Sequence, residues 1–500
     1  MSYLQGGEIQ APPVPNLWAM LPESGEGVTL RVGGYSGAVL PTHVEFQQQS
    51  GLSVTEIDRS VSANLVFALL LRRGIVFTDN VRQRPDYSYP PVTLAEAIEG
   101  LSTGTGLAAY LYRRKNGGPD DRARYRAIQE MFAELADRSF DVKPVPESLT
   151  EQQIIDGKKP GEVLEISIES DYGDVPLEQS GAGKDDALYV AAVVAGSEGQ
   201  VVLLDEPGAY LHPNIRTAVV DQLIRKGKDT QFFVVTHSAE LIPPEAVDKI
   251  SRFYLPGGRT RRVSLDWSNM NEQDRAKLQR EFRLSLSARA LLFSRGVILV
   301  EGETELGALP EWYAKWSQKR LDRADIAVHC VGGEDGFGTY IWFLDRFHVP
   351  WVAFCDGLAI GPRFSKNDLD KPPDKTSKIA RQLENAGAWR VPSDLQHQIE
   401  ALDTFAKRRD ALQEYGILTV ALASNRKDEP FERLQVIQAN WGDAEKIVGS
   451  SKARRGRYIA EKFDCPDELG QLFDSAMKHL SERMNGELPM TLGWKGWNRN

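Results

Sequence analysis

Cysteine is scarce in this sequence: the 500 residues include three, Cys330, Cys355 and Cys465, and no two are close in the chain. This scarcity excludes a disulfide-stabilised scaffold and a cysteine-rich zinc module, and it is typical of a reducing compartment. The N-terminus lacks a basic segment followed by an apolar run, so it predicts no signal peptide. The longest apolar stretches, such as 187–195, are too short to cross a bilayer. These absences predict a cytoplasmic protein without membrane contact.

A net positive charge is also lacking. The formal charge is −10, from 60 Lys plus Arg residues and 70 Asp plus Glu residues. This balance disfavours a protein that coats nucleic acid through bulk charge, although a local basic patch stays compatible with phosphate binding. Hydrophobic residues at 41% are typical of globular proteins. At roughly 150 residues per domain, the length predicts two to four domains.

Alternating helical and strand-like patterns predict an α/β fold. Residues 94–140 place apolar side chains at helical spacing. Short apolar runs at 201–204 and 232–235 flank a helical pattern, as is typical of buried parallel strands. A second alternation follows, with candidate strands at 297–300, 326–331, 351–355 and 416–422.

The most informative feature of the first half is an apolar strand pattern that ends in Asp205 and Glu206. Carboxylates at the carboxyl end of a strand lie where open α/β sheets bind ligands. There, Asp205 can hold Mg²⁺ and Glu206 can orient or deprotonate a water molecule, but two solvated acids before a turn would give the same pattern. The next strand pattern is followed by His237, which either contacts a γ-phosphate or is an ordinary surface histidine.

Ser180 and Gly181 precede a helical pattern at 185–195, where they either bind phosphate or simply cap the helix. In this order the three features resemble those of ABC-type ATPase heads. The sequence of residues 205–213 is similar to the corresponding segment in heads of the overcoming-lysogenization-defect (OLD) family. The resemblance implies nucleotide binding by five residues: Ser180, Gly181, Asp205, Glu206 and His237.

A phosphate-binding Gly-x-x-x-x-Gly-Lys-Ser/Thr loop, which such heads need near their N-terminus, is not found in residues 1–90. Gly183 and Lys184 are followed by Asp185, so they do not supply it. Either the chain starts downstream of this loop or the loop has been lost. We therefore expect an ATPase-like head that dimerises, and we leave ATP binding and hydrolysis open.

A second set of acids follows strand patterns in the C-terminal half. Glu301 ends the apolar run 297–300, and Glu305 comes four residues later at the start of a predicted helix. Both can converge on a hard cation such as Mg²⁺ or Mn²⁺, although acids at a helix start also stabilise the helix alone. Beyond a glycine-rich turn at 331–336, Asp356 ends a further strand pattern and can reach the same sheet edge. This arrangement suits metal-assisted phosphodiester cleavage.

The pattern resembles the topoisomerase–primase (TOPRIM) domain, and a head followed by TOPRIM resembles the OLD-family endonucleases, which include nuclease subunits of Gabija-type antiphage systems. The resemblance implies that Glu301, Glu305 and Asp356 bind the catalytic metals, two ions of Mg²⁺ or Mn²⁺. Leu358 stands where the family usually has a second aspartate. Candidate replacements, which fit a solvated turn equally well, are Glu432, Asp428 and Glu429.

Four cations within residues 452–457 form a basic patch before a predicted helix at 458–463. The family carries a lysine here, which implies that Lys452 stabilises the charged phosphorane. A solvated basic helix start is the alternative, which the helix dipole disfavours slightly. A second basic cluster lies at 259–262. The predicted DNA contacts are Arg454, Arg455 and Arg457.

These features predict an ABC-type head with a helical insertion, followed by a Rossmann-like parallel sheet. The predicted divisions are an ATPase-like head at 1–256 with a helical, dimerising region at about 92–142, a connector at 257–290, a TOPRIM domain at 291–470, and a helix and tail at 471–500.

The predicted function is that of an OLD-type, metal-dependent DNA endonuclease regulated by its head, with Glu301 as metal ligand or general base. The resemblance also implies a role in antiphage defence. Two alternatives stay open: a degenerate subunit that binds DNA or a partner, and a DNA-repair-type ATPase whose TOPRIM domain is structural. Expected partners are DNA, further copies of this chain, and a helicase-like or other defence-system protein, and ATP is an optional cofactor.

Overall fold

The structure is a computed structural model that divides into two compact units, residues 1–236 and 237–500. In residues 17–48 and 75–77 only the strand backbone is described. The described residues are 17–20, 27–36, 38–48, 75–78, 83–171, 173–197, 200–244, 249–255, 259–264, 272, 276, 279–280, 285–361, 376–388, 390–402, 404–419, 431 and 434–485.

The described part of the first unit contains three three-stranded sheets. Its strands are β1 (Leu17–Met20), β2 (Gly27–Ser36), β3 (Ala38–Gln48), β4 (Ile75–Thr78), β5 (Phe140–Pro146), β6 (Glu162–Ile168), β7 (Val175–Pro176), β8 (Val201–Asp205) and β9 (Gln231–Val235). Its helices are α1 (Leu94–Leu101), α2 (Leu107–Asn116), α3 (Pro119–Ala136), α4 (Glu151–Ile155), α5 (Ala182–Gly196) and α6 (Pro213–Lys226).

Two of these sheets are antiparallel, and the third is parallel with the order β4-β8-β9. The predicted strands at 201–204 and 232–235 are confirmed as β8 and β9, with α6 between them. The prediction that both are buried is wrong for β9, in which Phe233, Val234 and Val235 are exposed. The predicted helical pattern at 94–140 is confirmed as α1 to α3. Helix α5 carries the apolar run 187–195, and every side chain in that run is buried. A helix that is apolar on all sides is typical of a domain interior, so α5 is the central helix of this unit.

The second unit continues the numbering. Its strands are β10 (Ser251–Tyr254), β11 (Arg261–Ser264), β12 (Gly296–Val300), β13 (Ile326–Cys330), β14 (Trp351–Cys355) and β15 (Ile417–Thr419). Its helices are α7 (Leu286–Ala290), α8 (Glu303–Ser317), α9 (Phe337–Arg346), α10 (Gly357–Ile360), α11 (Lys378–Ala386), α12 (Leu395–Ala401), α13 (Phe405–Gln413), α14 (Gln435–Val448), α15 (Lys452–Lys462) and α16 (Asp467–Asn485).

The central sheet of this unit is parallel, with the order β13-β12-β14-β15. Every residue of β12 and β14 is buried, and alternate side chains of β12 enter two separate apolar cores. One core includes side chains of α9 and α11, and the other includes side chains of α8, α15 and α16. Helices on both faces explain why the strands read as continuous apolar runs. The predicted Rossmann-like parallel sheet is confirmed.

The hairpin β10–β11 belongs to the second unit, which begins at residue 237, whereas the sequence predicts that the head ends at residue 256. Arg252 of this hairpin donates to the carbonyl oxygens of Leu292 (2.8 Å), Ser294 (3.2 Å), Phe347 (3.1 Å) and His348 (2.9 Å). Strand β11 and helix α7 lie within the predicted connector at 257–290, and most of the segment between them is outside the described residues, as is the tail beyond 485. In the described part of the chain, no helix is long and apolar enough to cross a membrane.

The buried His329 of β13 is expected to make the stability of the folded protein depend on pH. Its ring is 7% exposed and lies 4.4 Å from the Tyr340 ring centroid. Burial lowers the pKa of this imidazole from 6.5 to about 4, so the folded state favours the neutral ring. Above pH 6.5 the ring is neutral in both the folded and the unfolded state, and stability is highest. As the pH falls from 6.5 towards 4, the ring is protonated in the unfolded state only, so the free energy of unfolding decreases by up to about 3 kcal/mol.

The measurement is urea unfolding of the whole chain at pH 7 and pH 4.5, for wild type and His329→Phe. The variant should lose less stability between the two pH values, since it has no imidazole to protonate. Equal losses in the two proteins would show that His329 does not titrate in this range.

Candidate active site

A hydrogen-bonded pair of acids lies at the carboxyl edge of the parallel sheet. Glu301 follows β12 and Asp356 follows the neighbouring strand β14. The backbone N–H of Asp356 donates to Glu301 Oε2 at 2.9 Å, and Asp356 Oδ1 accepts from the Phe431 N–H at 3.0 Å. Parallel strands end at one edge, so residues that are 55 apart in the chain meet here. The two carboxylates are therefore oriented by backbone donors.

Glu305 lies in the first turn of α8 and is 3% exposed. A Cβ atom at Gly302 would be 3.0 Å from Glu305 Oε2, so the glycine leaves room for this carboxylate at the helix start. Acids in the first turn also interact favourably with the helix dipole. The sequence prediction that Glu305 is on the helical turn after Glu301 agrees with this placement.

The pKa values of two thiols are raised in part by the negative charge at this edge of the sheet. Burial raises the pKa of the Cys355 thiol well above its usual value of 9.0, and the charges of Glu301 and Asp356 raise it further. Burial also raises the pKa of Cys330, and the charges of Glu305, Glu303 and Glu301 add to that effect. Both thiols are therefore protonated at neutral pH, and the charges of the acids at this edge reach both of them.

The donor set of the cluster is suited to a hard divalent cation, since Glu301, Glu305 and Asp356 all offer carboxylate oxygens. Within the described ranges, no three His, Cys, Asp or Glu side chains are already grouped as a metal site. Leu358, in α10, offers no donor where the family usually has a second aspartate. The predicted ligand Glu432 lies outside the described residues.

Helix α15 crosses α8 at very short range. A Cβ atom at Gly307 would be 1.9 Å from the Ala453 carbonyl oxygen, and one at Gly456 would be 2.4 Å from the Thr304 carbonyl oxygen. Two glycines therefore allow the helix backbones to touch. This contact brings the start of α15, with Lys452, next to the helix that carries Glu305.

The basic patch divides into exposed and anchored cations. The helix begins at Lys452 rather than after the patch, with the Ser451 hydroxyl accepting from the Arg454 N–H at 3.4 Å. Lys452 and Arg454 are exposed. Arg455 is only 7% exposed, and its guanidinium pairs with Glu445 at 2.6 Å and lies over the Trp441 ring.

The buried side chain of Arg455 thus anchors α15 to α14, which disfavours its predicted contact with DNA. Arg457 pairs with Glu311 at 3.2 Å and with Glu461 at 2.9 Å, and its side chain remains 62% exposed. A phosphate would have to compete with those two carboxylates for Arg457. Arg454 is exposed, and its predicted contact with DNA stays a prediction.

The glycine-rich turn at 332–336 completes this edge. The Gly333 N–H donates to the Glu301 carbonyl oxygen at 2.9 Å, and Gly332 and Gly333 have φ values of 79° and 117°, which favour glycine. Two residues of α11 contact Glu334 in this turn: Lys378 forms an ion pair with its carboxylate, and the Gln382 carboxamide donates to its carbonyl oxygen. Sequence reasoning missed these two side chains, because a Lys and a Gln four residues apart are common on any exposed helix.

In the first unit, Asp205 and Glu206 follow the central strand β8. The Asp205 N–H donates to Thr78 Oγ1 of β4 at 3.1 Å, and Thr236 Oγ1, after β9, donates to Glu206 Oε2 at 3.0 Å. Glu206 has a φ of 45°, unusual for a non-glycine residue, and its N–H bonds the Val235 carbonyl oxygen at 2.9 Å. Both acids are thus held by neighbouring strands, through threonines that sequence reasoning did not single out.

The predicted signature segment lies beside the turn that follows β8. Ser180 Oγ donates to the Leu177 carbonyl oxygen at 2.7 Å, and Gly181 has a φ of 91°. A Cβ atom at Gly183 would lie 3.6 Å from the Tyr210 carbonyl oxygen, which places the two segments in contact. His237 is exposed and begins the second unit, so its predicted phosphate contact stays a prediction.

Comparison with known proteins agrees with this division. Residues 292–357 match the family described as "Overcoming lysogenization defect protein-like, TOPRIM domain". Residues 186–242 match "AAA domain, putative AbiEii toxin, Type IV TA system". The first match covers Glu301, Glu305 and Asp356, and the second covers Asp205, Glu206 and His237.

Relatives among individual proteins match parts of the chain. An uncharacterized protein of Methanocaldococcus jannaschii is 26% identical over 253 residues, 49% of this chain and 29% of that protein. The Old nuclease of Escherichia phage P2 is 30% identical over 165 residues, 32% of this chain and 28% of that protein. The matches thus span less than a third of either relative. The solved C-terminal region of the Xanthomonas campestris pv. campestris OLD protein shares 22% identity, with a TM-score of 0.24, over 38% of this chain and 97% of that one.

The two family matches therefore agree with the predicted architecture, in which a region similar to an AAA domain is followed by a region similar to an OLD-like TOPRIM domain.

Proposed function

We propose that this chain is a metal-dependent DNA endonuclease whose TOPRIM domain hydrolyses phosphodiester bonds. The observation that carries the proposal is the hydrogen-bonded pair Glu301 and Asp356 at the sheet edge, with the buried Glu305 in the first turn of the helix that follows Glu301. The resemblance to the Old nuclease of phage P2 supports the same reaction.

Each residue has a separate task in the proposed reaction. Glu301, Glu305 and Asp356 would hold Mg²⁺ or Mn²⁺, and ions bound there supply a Lewis acid and a water of lowered pKa. The Asp356 N–H orients the Glu301 carboxylate, and the Phe431 N–H orients that of Asp356. Such backbone donors keep the carboxylates in one position without further cost during the reaction.

The start of α15 is proposed to bind the DNA backbone. Lys452 and Arg454 are exposed there, next to the acid-bearing helix α8. Lysine and arginine bind phosphate oxygens, and a cation near the scissile phosphate stabilises the charge that develops on it. A local patch of this kind reconciles DNA binding with a formal charge of −10.

We propose that the first unit regulates cleavage through nucleotide binding. Asp205 and Glu206 end a central strand and are held by Thr78 and Thr236, as expected for a site that handles Mg²⁺ and phosphate. Because no phosphate-binding loop is found in residues 1–90, we propose binding of a nucleotide without assigning hydrolysis to this chain alone. Assembly into dimers or larger oligomers and a role in antiphage defence belong to the same proposal.

The test is incubation of the full chain with supercoiled plasmid in Mg²⁺, in Mn²⁺ and in EDTA. The expected result is conversion to open-circular or linear DNA with either ion and no conversion in EDTA. Cleavage that continues in EDTA would overturn metal dependence.

A non-catalytic DNA-binding subunit is the second candidate, favoured by Leu358 in place of an acid. It predicts retention of plasmid by the chain in a gel-shift experiment with no cleavage under either ion. Cleavage by wild type would exclude this candidate.

A further inference from the structure

A second group of residues acts on the backbone of Glu301. The turn 332–336 connects β13 to α9, and its Gly333 N–H donates to the Glu301 carbonyl oxygen at 2.9 Å. This bond holds the main-chain carbonyl group that is bonded directly to the Cα atom of Glu301, from which the side chain projects. The position of the turn therefore restricts the position of the Glu301 carboxylate.

Two side chains of α11 hold this turn from its other side. The Gln382 carboxamide donates to the Glu334 carbonyl oxygen at 2.7 Å and accepts from the Gly338 N–H at 2.7 Å. One glutamine thus bonds both the turn and the start of α9. Lys378, one helical turn earlier, forms an ion pair with Glu334 and a second with Asp335 at 3.6 Å.

We propose that Lys378 and Gln382 are positioning residues for metal binding by Glu301, and we call the pair the α11 clamp. The inference rests on the proposed function. The clamp fixes the turn, and the turn fixes the Glu301 backbone, so the carboxylate is held ready for a divalent cation. Groups that orient a metal ligand contribute about 10- to 100-fold to metal affinity or activity.

A purely electrostatic role of Lys378 makes the opposite prediction. Its positive charge repels a divalent cation, so removal of that charge would tighten ion binding. Loss of positioning would weaken ion binding instead. The sign of the change therefore separates the two roles.

The experiment measures Mn²⁺ binding to the full chain without DNA, from the loss of the free-ion electron paramagnetic resonance signal. For Lys378→Met and for Gln382→Leu, the Kd for Mn²⁺ should rise about tenfold. Hydrogen–deuterium exchange of peptide 332–338 in the metal-free proteins should become faster. Lys378→Arg keeps the ion pair and should keep the wild-type Kd.

Lys446→Met is the matched control. Lys446 also lies on a helix of the second unit and pairs with an acid at 2.9 Å, but this acid, Asp443, belongs to the same helix α14 and not to the turn. Its Kd for Mn²⁺ should stay within about twofold of wild type, since exposed ion pairs of this kind contribute little.

An unchanged or lower Kd for Lys378→Met would overturn the inference, even if Gln382→Leu did not fold. If wild type binds Mn²⁺, Glu301→Gln does not, and both clamp variants bind as wild type does, only the positioning role fails. If wild type and Glu301→Gln bind Mn²⁺ equally, the proposed metal site itself fails.

Discussion

Replacement of Glu301 by glutamine is expected to lower the rate of plasmid cleavage by about a thousandfold, while the protein stays folded. Glutamine keeps the shape of the side chain and an oxygen that can accept from the Asp356 N–H, but it removes the charge that would bind a divalent ion. Metal ions contribute several kcal/mol to such reactions, and about 4 kcal/mol corresponds to a factor of a thousand in rate.

The measurement is the initial rate of plasmid cleavage over a range of Mg²⁺ and Mn²⁺ concentrations, with thermal unfolding to verify the fold. Glu303→Gln is the matched control, because Glu303 is an exposed acid two residues away. The control should keep most of the wild-type rate. If Glu301→Gln retained more than about a tenth of that rate, Glu301 would not be an essential metal ligand.

Replacement of Gly456 or Gly307 by alanine is expected to destabilise the second unit by about 1–3 kcal/mol and to reduce cleavage. The added Cβ atom would lie 2.4 Å from the Thr304 carbonyl oxygen or 1.9 Å from that of Ala453. Both obstacles are backbone atoms, so relief requires α8 and α15 to move apart. Such a movement would shift the start of α15, with Lys452, relative to the helix that carries Glu305.

Gly442→Ala in α14 is the control for this pair. No atom lies within 4 Å of a Cβ atom placed at Gly442, and alanine favours a helix over glycine by roughly 0.5–1 kcal/mol. This variant should therefore be as stable as wild type or slightly more stable in urea unfolding. Equal stability of Gly442→Ala, Gly307→Ala and Gly456→Ala would show that the helices tolerate a wider separation.

Local sequence patterns predict some features of the candidate site. Apolar runs followed by Glu301 and Asp356 predict two strands that end in acids, since burial on both faces of a parallel sheet requires such runs. The acids of the first unit, Asp205 and Glu206, follow from the same argument. Each prediction depends on a short local segment.

Local sequence patterns could not predict which arginines of α15 are exposed and which form buried ion pairs. Arg454 and Arg455 are adjacent and chemically identical, yet one is exposed and the other pairs with Glu445. The direction of each side chain around α15 and the position of α14 decide between them. Neither is encoded within residues 452–457 alone.

The sequence by itself determined the two α/β regions, their order, and which acids end the strands, because these features depend on local periodicity and on turn residues. Only the tertiary structure decided that Asp356 bonds Glu301, that two glycines let the start of α15 pack against α8, and that Lys378 and Gln382 hold the turn next to Glu301. Those contacts join segments far apart in the chain. Their geometry is set by strand order and by how closely helices approach, which no local pattern specifies.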